Sequence, residues 1–400
     1  MKKRISWPWI LITILGFAVS CQPAQNDLEL SKFLIDSIQS QTIADSRVEV
    51  FSIKPSYSDN SILLKGKTTN PEAIAKLLAQ LKLQHVEFID SIISLPDQAL
   101  QGKVWGLVTV SVANLRSTAA HSGELATQAI MGTPVRVLQE ENGWFLIQTP
   151  DKYIAWTTKA SIAQVTQNQL NDWKSSARVI YLTDSGFLLD SPDIRGNHVS
   201  DVVFGAILQV ESKTMANSQF IPVILPDGRK GFISKADCSD FKIWSEQVTP
   251  DTTKMVKTAF YSMGRPYLWG GTSTKGFDCS GFTKTIYMSG GLILSRDASQ
   301  QVLQGTEVAA NGSWNELKSG DLLFVGRAAT AELPERITHV CMYIGDSEFI
   351  HCSGLGTVGV NSLDSTRQNS MPKSYKIVHA KRMIGSANSP VTFKSHPWYN

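Results

Sequence analysis

Read for its apolar spacing, the chain changes period several times. Residues 28–41 (LELSKFLIDSIQSQ) carry apolar side chains at three- and four-residue intervals and predict a helix. RVEVFSIKP (47–55) and SILLKGKT (61–68) alternate and predict strands. NPEAIAKLLAQL (70–81) returns to the helical period, with Asn70 placed to cap it and Pro71 at its first position. VEFIDSIISL (86–95) then reads as a returning strand. Residues 21–104 are therefore expected to form a small α+β domain, whose role is not legible from the residues themselves.

Two later stretches resemble each other. IMGTPVRVLQEENGWFLIQTPDKYIAW (130–156) and VFGAILQVESKTMANSQFIPVILPDGRKGFI (203–233) each place a glycine ahead of an alternating strand, a polar turn, a second strand, a Pro-Asp turn and a closing aromatic strand. Short strands at that spacing predict two small β-barrels, over 105–165 and 176–242, linked by NQLNDWKSSA (168–177). From 250 to 385 the pattern runs helix, glycine-rich loop, helix and then strands to about Met383. Asp251 can cap the first of these helices, which should end near Met263. The tail SANSPVTFKSHPWYN (386–400) has no period and is expected to lie extended on the surface.

Composition changes this picture at one end only. Lys2, Lys3 and Arg4 precede the apolar run ISWPWILITILGF, the layout of an export signal, here assigned to 1–20. It closes on Ala18, Val19, Ser20 and Cys21, which resembles the lipobox of bacterial lipoproteins. That resemblance implies lipid attachment at Cys21 and a place in the bacterial cell envelope, expected at the outer membrane facing the periplasm. Of the 38 Lys+Arg and 35 Asp+Glu, three basic residues belong to the signal. The remainder balances, which argues against a nucleic-acid partner. With 42% hydrophobic and 18% charged residues, the chain can bury genuine cores.

The remaining cysteines, Cys238, Cys279, Cys341 and Cys352, lack CxxC spacing, although a disulfide involving Cys238 stays open. Cys279 is the informative one. In GFDCSGFTKTIY (276–287) it falls where a glycine-rich loop enters a helix, near unpaired amides and the positive end of the helix dipole, which favour a thiolate. Gly281, without a side chain, would let that helix approach its neighbour closely. A buried structural thiol is the alternative reading. Downstream, ITHVCMYIGDSEFIHCSG (337–354) reads as a hairpin turning at Gly345-Asp346-Ser347. His339 and His351 lie an even number of residues apart, so strand alternation can bring both to one face. One imidazole could take the Cys279 proton while the other fixes its tautomer. Zinc is a rival use of Cys279, His339, Cys341, His351 and Cys352, but no pair has the close spacing of a structural site.

PYLWGG, FDCSGF, RDASQQ, SGDLLFV, THVCMYIG and FIHCSG together resemble the NlpC/p60 superfamily of papain-like peptidoglycan peptidases. The resemblance implies Cys279 as nucleophile, His339 as general base and His351 as orienting third member, with Tyr267 beside the nucleophile and no cofactor or metal. It also implies an antiparallel sheet with the nucleophile helix packed on it, giving an α+β multidomain fold with two SH3-like barrels. The order of domains is similar to the bacterial dipeptidyl-peptidase VI group, endopeptidases cleaving after γ-D-glutamate in stem peptides. In that group the first SH3-like domain walls one end of the cleft and an acidic residue meets the free amine of L-alanine. Glu124 and Tyr153 match the group's pattern; Asp278 is a further candidate for the amine, and Ser280, Arg296 and Asp297 for neighbouring polar groups. The implied partners are L-Ala-γ-D-Glu-diamino-acid peptides and, through the lipid, a membrane.

Overall fold

The computed structural model describes residues 22–59, 61–211, 219–308, 314–354 and 356–400. The signal stretch and Cys21 lie outside the described residues. Within them, no helix is long and apolar enough to cross a membrane. The chain divides into two compact units at Leu95/Pro96.

The first unit holds helices Gln22–Thr42 and Pro71–Leu83 and a three-stranded sheet. Its middle strand, Ser61–Thr68, pairs antiparallel with Phe51–Ser58 and parallel with Phe88–Ser94, as the βαβ crossover through the second helix requires. Asn70 accepts a hydrogen bond from the Ala73 amide and Pro71 opens the helix, as the capping residues predict. Ala73, Leu77 and Leu81 then bury one face against Ile53, Ile62 and Leu64. The strand expected from Arg47 begins only at Phe51, because Asp45 draws the Arg47 amide into a turn.

In the second unit, seven strands between Trp105 and Val165 form one antiparallel barrel-like sheet around Val135, Val137, Phe145 and Ile147. Seven more between Arg178 and Asp240 form another around Leu188, Val202, Val223 and Ile233. The expected linker is itself a helix, Gln167–Ser175, fixed by a Thr166/Gln169 capping box. The repeat's shared glycine has a physical purpose in both copies. Gly132 (φ +78) meets the second barrel, where a Cβ would lie 1.9 Å from the Ile207 carbonyl oxygen, and Gly205 (φ +90) meets Met288 of the following domain.

The last domain has helices Thr252–Phe260 and Cys279–Ser289 and a six-stranded antiparallel sheet. Asp251 caps the first helix, accepting from the Thr253 and Lys254 amides. Phe282 and Ile286 of the Cys279 helix pack on Phe324, Val340, Met342 and Ile350 of the sheet. At Gly281 a Cβ would sit 1.9 Å from the Gly271 carbonyl oxygen, so only glycine lets the helix start lie against its own loop.

The tail corrects the expectation of an extended surface segment. Val391–Thr392 pairs with Leu292–Ile293, and Phe393 and Tyr399 join a buried aromatic cluster with Trp173 and Phe241. Arg178 Nη1 donates to the Tyr399 carbonyl, so the tail ties the linker helix and second barrel to the last domain. No periodicity foretold this because isolated aromatics, not a regular face, anchor the segment.

Candidate active site

Cys279 is the first residue of its helix, and Asp278 is the N-cap, its Oδ1 accepting from the Gly281 amide at 2.7 Å. The thiol is buried, with the amides of Val340 and Ser280 directed at the sulfur. Val340 adjoins His339, which brings the hairpin to the Cys279 thiol. The ladder between Arg336–Gly345 and Glu348–Cys352 extends only to Met342–Ile350, so Val340 lies beyond its end. The turn has Asp346 and Ser347 in left-handed conformation (φ 50 and 61), matching the twist of a tight hairpin.

The two imidazoles meet diagonally across that hairpin. His339 Nε2 and His351 Nδ1 are 2.7 Å apart, and His351 Nε2 lies 2.8 Å from Asn361 Oδ1 on the next strand. Tyr375 rests on both rings, with centroids 5.2 Å and 6.0 Å away.

Electrostatics corrects the expectation of a resting thiolate. Burial, and then the Asp278 carboxylate, push the Cys279 thiol up to about 11, against the opposing effects of the Val340 and Ser280 amides and Arg296. Burial and the neighbouring His351 pull His339 down to about 3. At neutral pH the pair therefore rests as thiol and neutral imidazole, because both groups are buried and the helix cap carries a carboxylate. An imidazole in that state is a base ready to take a proton.

The residues flanking Cys279 join a second network. Arg296, wholly buried, forks onto both oxygens of Asp278, and its Nη1 also donates to Ser280 Oγ at 2.9 Å. Burial alone would lower the Arg296 pKa, but Asp278, Asp297 and Tyr153 outweigh it and hold the guanidinium above its ordinary range. Asp278 also accepts from the Gly270 amide at 3.1 Å. Its oxygens are thus committed to the helix start and to Arg296, which leaves little capacity for an added ammonium. Asp297 stands 3.8 Å from Arg296 and caps the short helix Ala298–Gln301 with Gln300.

The first barrel contacts the loop and the network around Cys279. Glu124 is exposed, its Oε1 accepting from Trp269 Nε1 at 2.7 Å in the loop that leads to Cys279. Tyr153 is buried in the barrel with its phenol beside Arg296. Tyr267 is held through its amide, which donates to the Gly356 carbonyl at 2.7 Å. Burial and the nearby Cys279 and Asp278 raise its hydroxyl pKa, which keeps it a donor.

Ligand atoms of His339, Cys341 and His351 lie within 4.8 Å of one another. Yet both histidines face each other across a hydrogen bond, and the far side of His351 is bonded to Asn361, so metal binding would require dismantling the string. Cys238, Cys279, Cys341 and Cys352 are all free thiols. Cys352 points away from His351 and donates to the Phe277 carbonyl.

Sequence reasoning missed Asn361, Trp269 and Tyr375. For Asn361 the only signal was an amide ending the alternating run VGVN (358–361).

Residues 264–377 match the NlpC/P60 family, and 115–162 match the bacterial dipeptidyl-peptidase Sh3 domain. The γ-D-glutamyl-L-lysine dipeptidyl-peptidase of Bacillus cereus is 30% identical over 239 residues, 58% of this chain and 68% of that one. Dipeptidyl-peptidase 6 of Lysinibacillus sphaericus is 28% identical over 263 residues, 64% of this chain and 91% of that one. A crystal structure of a Bacillus cereus NlpC/P60 family protein superposes with a TM-score of 0.56 at 24% identity, covering 70% of this chain and 99% of that one, and supports the fold. With a cysteine at a helix start, a hydrogen-bonded histidine pair on the hairpin whose Val340 amide faces it, and these relatives, the chain belongs to the NlpC/P60 family and is a cysteine peptidase.

Proposed function

We propose that the protein hydrolyses the bond between γ-D-glutamate and the following diamino acid in peptidoglycan stem peptides whose N-terminal L-alanine is free, working from a lipid anchor on Cys21 in the cell envelope. Cys279 Sγ attacks the γ-carbonyl carbon while its proton passes to His339. The oxyanion is received by the Cys279 amide at the helix start and by the Tyr267 hydroxyl. The protonated His339 then gives its proton to the leaving amine, the C–N bond breaks and a thioester remains. Water, deprotonated by His339, attacks the thioester and releases L-Ala-γ-D-Glu with the thiol restored. The neutral resting pair suits this sequence, because proton transfer accompanies attack.

The observation that carries the substrate reading is the exposed Glu124 carboxylate, held by Trp269 at the edge of the nucleophile's loop. An ammonium pairs with it, whereas an acylated alanine leaves it without a charge partner. For an exposed carboxylate that difference is worth ~0.2–1 kcal/mol, or up to about fivefold. The name of the Bacillus cereus relative points to the same bond. The test is hydrolysis of L-Ala-γ-D-Glu-diaminopimelate with and without N-acetylation, by the wild type and by Glu124→Gln. The free amine should be preferred, and Glu124→Gln should erase the preference mainly through KM. Equal rates on acetylated peptide or on purified sacculi refute the free-amine reading.

A further inference from the structure

We infer that Asn361 is a positioning residue that selects the productive proton arrangement of the two histidines; this rests on the reading of Cys279 and His339 as nucleophile and base. Two neutral arrangements of the pair keep the 2.7 Å bond between His339 Nε2 and His351 Nδ1. In one, both rings carry their proton on Nε2. His351 Nδ1 then accepts from His339, and His339 Nδ1 keeps a lone pair for the thiol proton. In the other, both protons sit on Nδ1, and His339 has no lone pair to offer Cys279. The first is competent and the second is not.

Asn361 distinguishes them. Its Nδ2 donates to the Asn369 carbonyl at 3.0 Å and lies 3.5 Å from the Ser370 carbonyl. Both partners are acceptors only, so the amide nitrogen must face them and the oxygen must face His351 Nε2, 2.8 Å away. An oxygen there demands a proton on His351 Nε2, and the demand passes through the ring to His339. The inverted arrangement would require the amide to turn over, setting Oδ1 against two carbonyl oxygens. The loop that supplies those carbonyls is itself fixed, since Ser362 donates its amide to Asn369 and Asn369 Nδ2 donates to Glu348 at 3.2 Å. A backbone loop outside the histidine hairpin thereby sets the tautomer of the base.

The test separates this inference from the reading it rests on. In the Cys279→Ala protein, which needs no activity, 15N NMR of the imidazole nitrogens should show Nε2–H on both His339 and His351. Finding Nδ1–H on His339 overturns the inference without any further variant. Asn361→Leu should populate Nδ1–H on His339 and, with Cys279 present, lower kcat/KM by about tenfold or more at nearly unchanged KM. Asn361→Asp keeps an acceptor oxygen toward His351 but sets its second oxygen against the Asn369 and Ser370 carbonyls, so it should keep the Nε2–H pattern at a lower melting temperature. Asn361→Leu with an unchanged tautomer, or a rate within about twofold of wild type, also overturns it. If Cys279→Ala retained hydrolysis, the nucleophile assignment would fail instead.

Discussion

Lys284 lies on the same helix as Cys279, and its ammonium pairs with Asp151 of the first barrel, two residues before Tyr153. The Asp151 side chain is 2% exposed and that of Lys284 22%, so the pair is sheltered from solvent. Burial works against both charges. For Asp151, Lys284 and the Thr149 hydroxyl outweigh burial and hold the carboxyl below its usual range. For Lys284, burial is the larger effect and lowers it despite Asp151. The two directions disagree about how firmly the pair is ionised. We take it as charged at pH 7, because the contact carries direct hydrogen bonds and Asp151 is stabilised as an anion. Lys284→Met should then strand a buried carboxylate and destabilise the protein by about 3–5 kcal/mol. For a unit of this size that corresponds to a melting temperature roughly 5–15 °C lower. Adding Asp151→Asn should recover most of the loss, since replacing both charges removes the stranded one. A thermal and urea double-mutant cycle measures this directly. The pair also fixes the barrel wall relative to the nucleophile, so Lys284→Met should raise KM for the free-amine peptide more than it lowers kcat. A Lys284→Met protein within about 0.5 kcal/mol of wild type, or a double variant no more stable than the single, refutes the reasoning.

Stability should also depend on pH through His339. Its folded pKa, about 3, lies below the unfolded value of 6.5, so the unfolded chain binds more protons between the two. The stabilisation is complete above pH 6.5 and is lost as the pH falls toward 3; urea midpoints at pH 7, 5 and 4 should decline, and less steeply in His339→Gln. For the same reason the acid limb of kcat/KM should lie below pH 6, and a limb at or above 6.5 excludes a neutral, desolvated His339 as the base. Gly281→Ala should destabilise the protein by about 2–4 kcal/mol and abolish most activity, because its methyl would meet the Gly271 carbonyl at 1.9 Å, and near-native melting would contradict the close approach.

Much of the fold was legible because its signals are local. Asn70, Pro71 and Asp251 start helices where they stand in the sequence, since capping bonds span only two or three residues. The even spacing of His339 and His351 placed them on one face, since alternation is a property of the strand itself. The tail failed this reading because Phe393 and Tyr399 are held by Trp173 and Phe241, partners distant in sequence. Resting thiol chemistry failed it for a related reason. The helix dipole at Cys279 is a local inference, whereas burial and the capping carboxylate that oppose it depend on what surrounds the helix start.

By itself the sequence determined most of the helices and strands, the repeated barrel pattern and the placing of Cys279 at a helix start with two histidines on one strand face, all encoded within a few residues of each site. Tertiary structure alone decided that Glu124 reaches Trp269, that Arg296 is buried against Asp278, and that Asn361 closes the histidine string. These contacts join segments as much as 145 residues apart. No periodicity or capping rule relates such positions, because packing of whole domains, rather than local backbone preference, brings them within hydrogen-bonding distance.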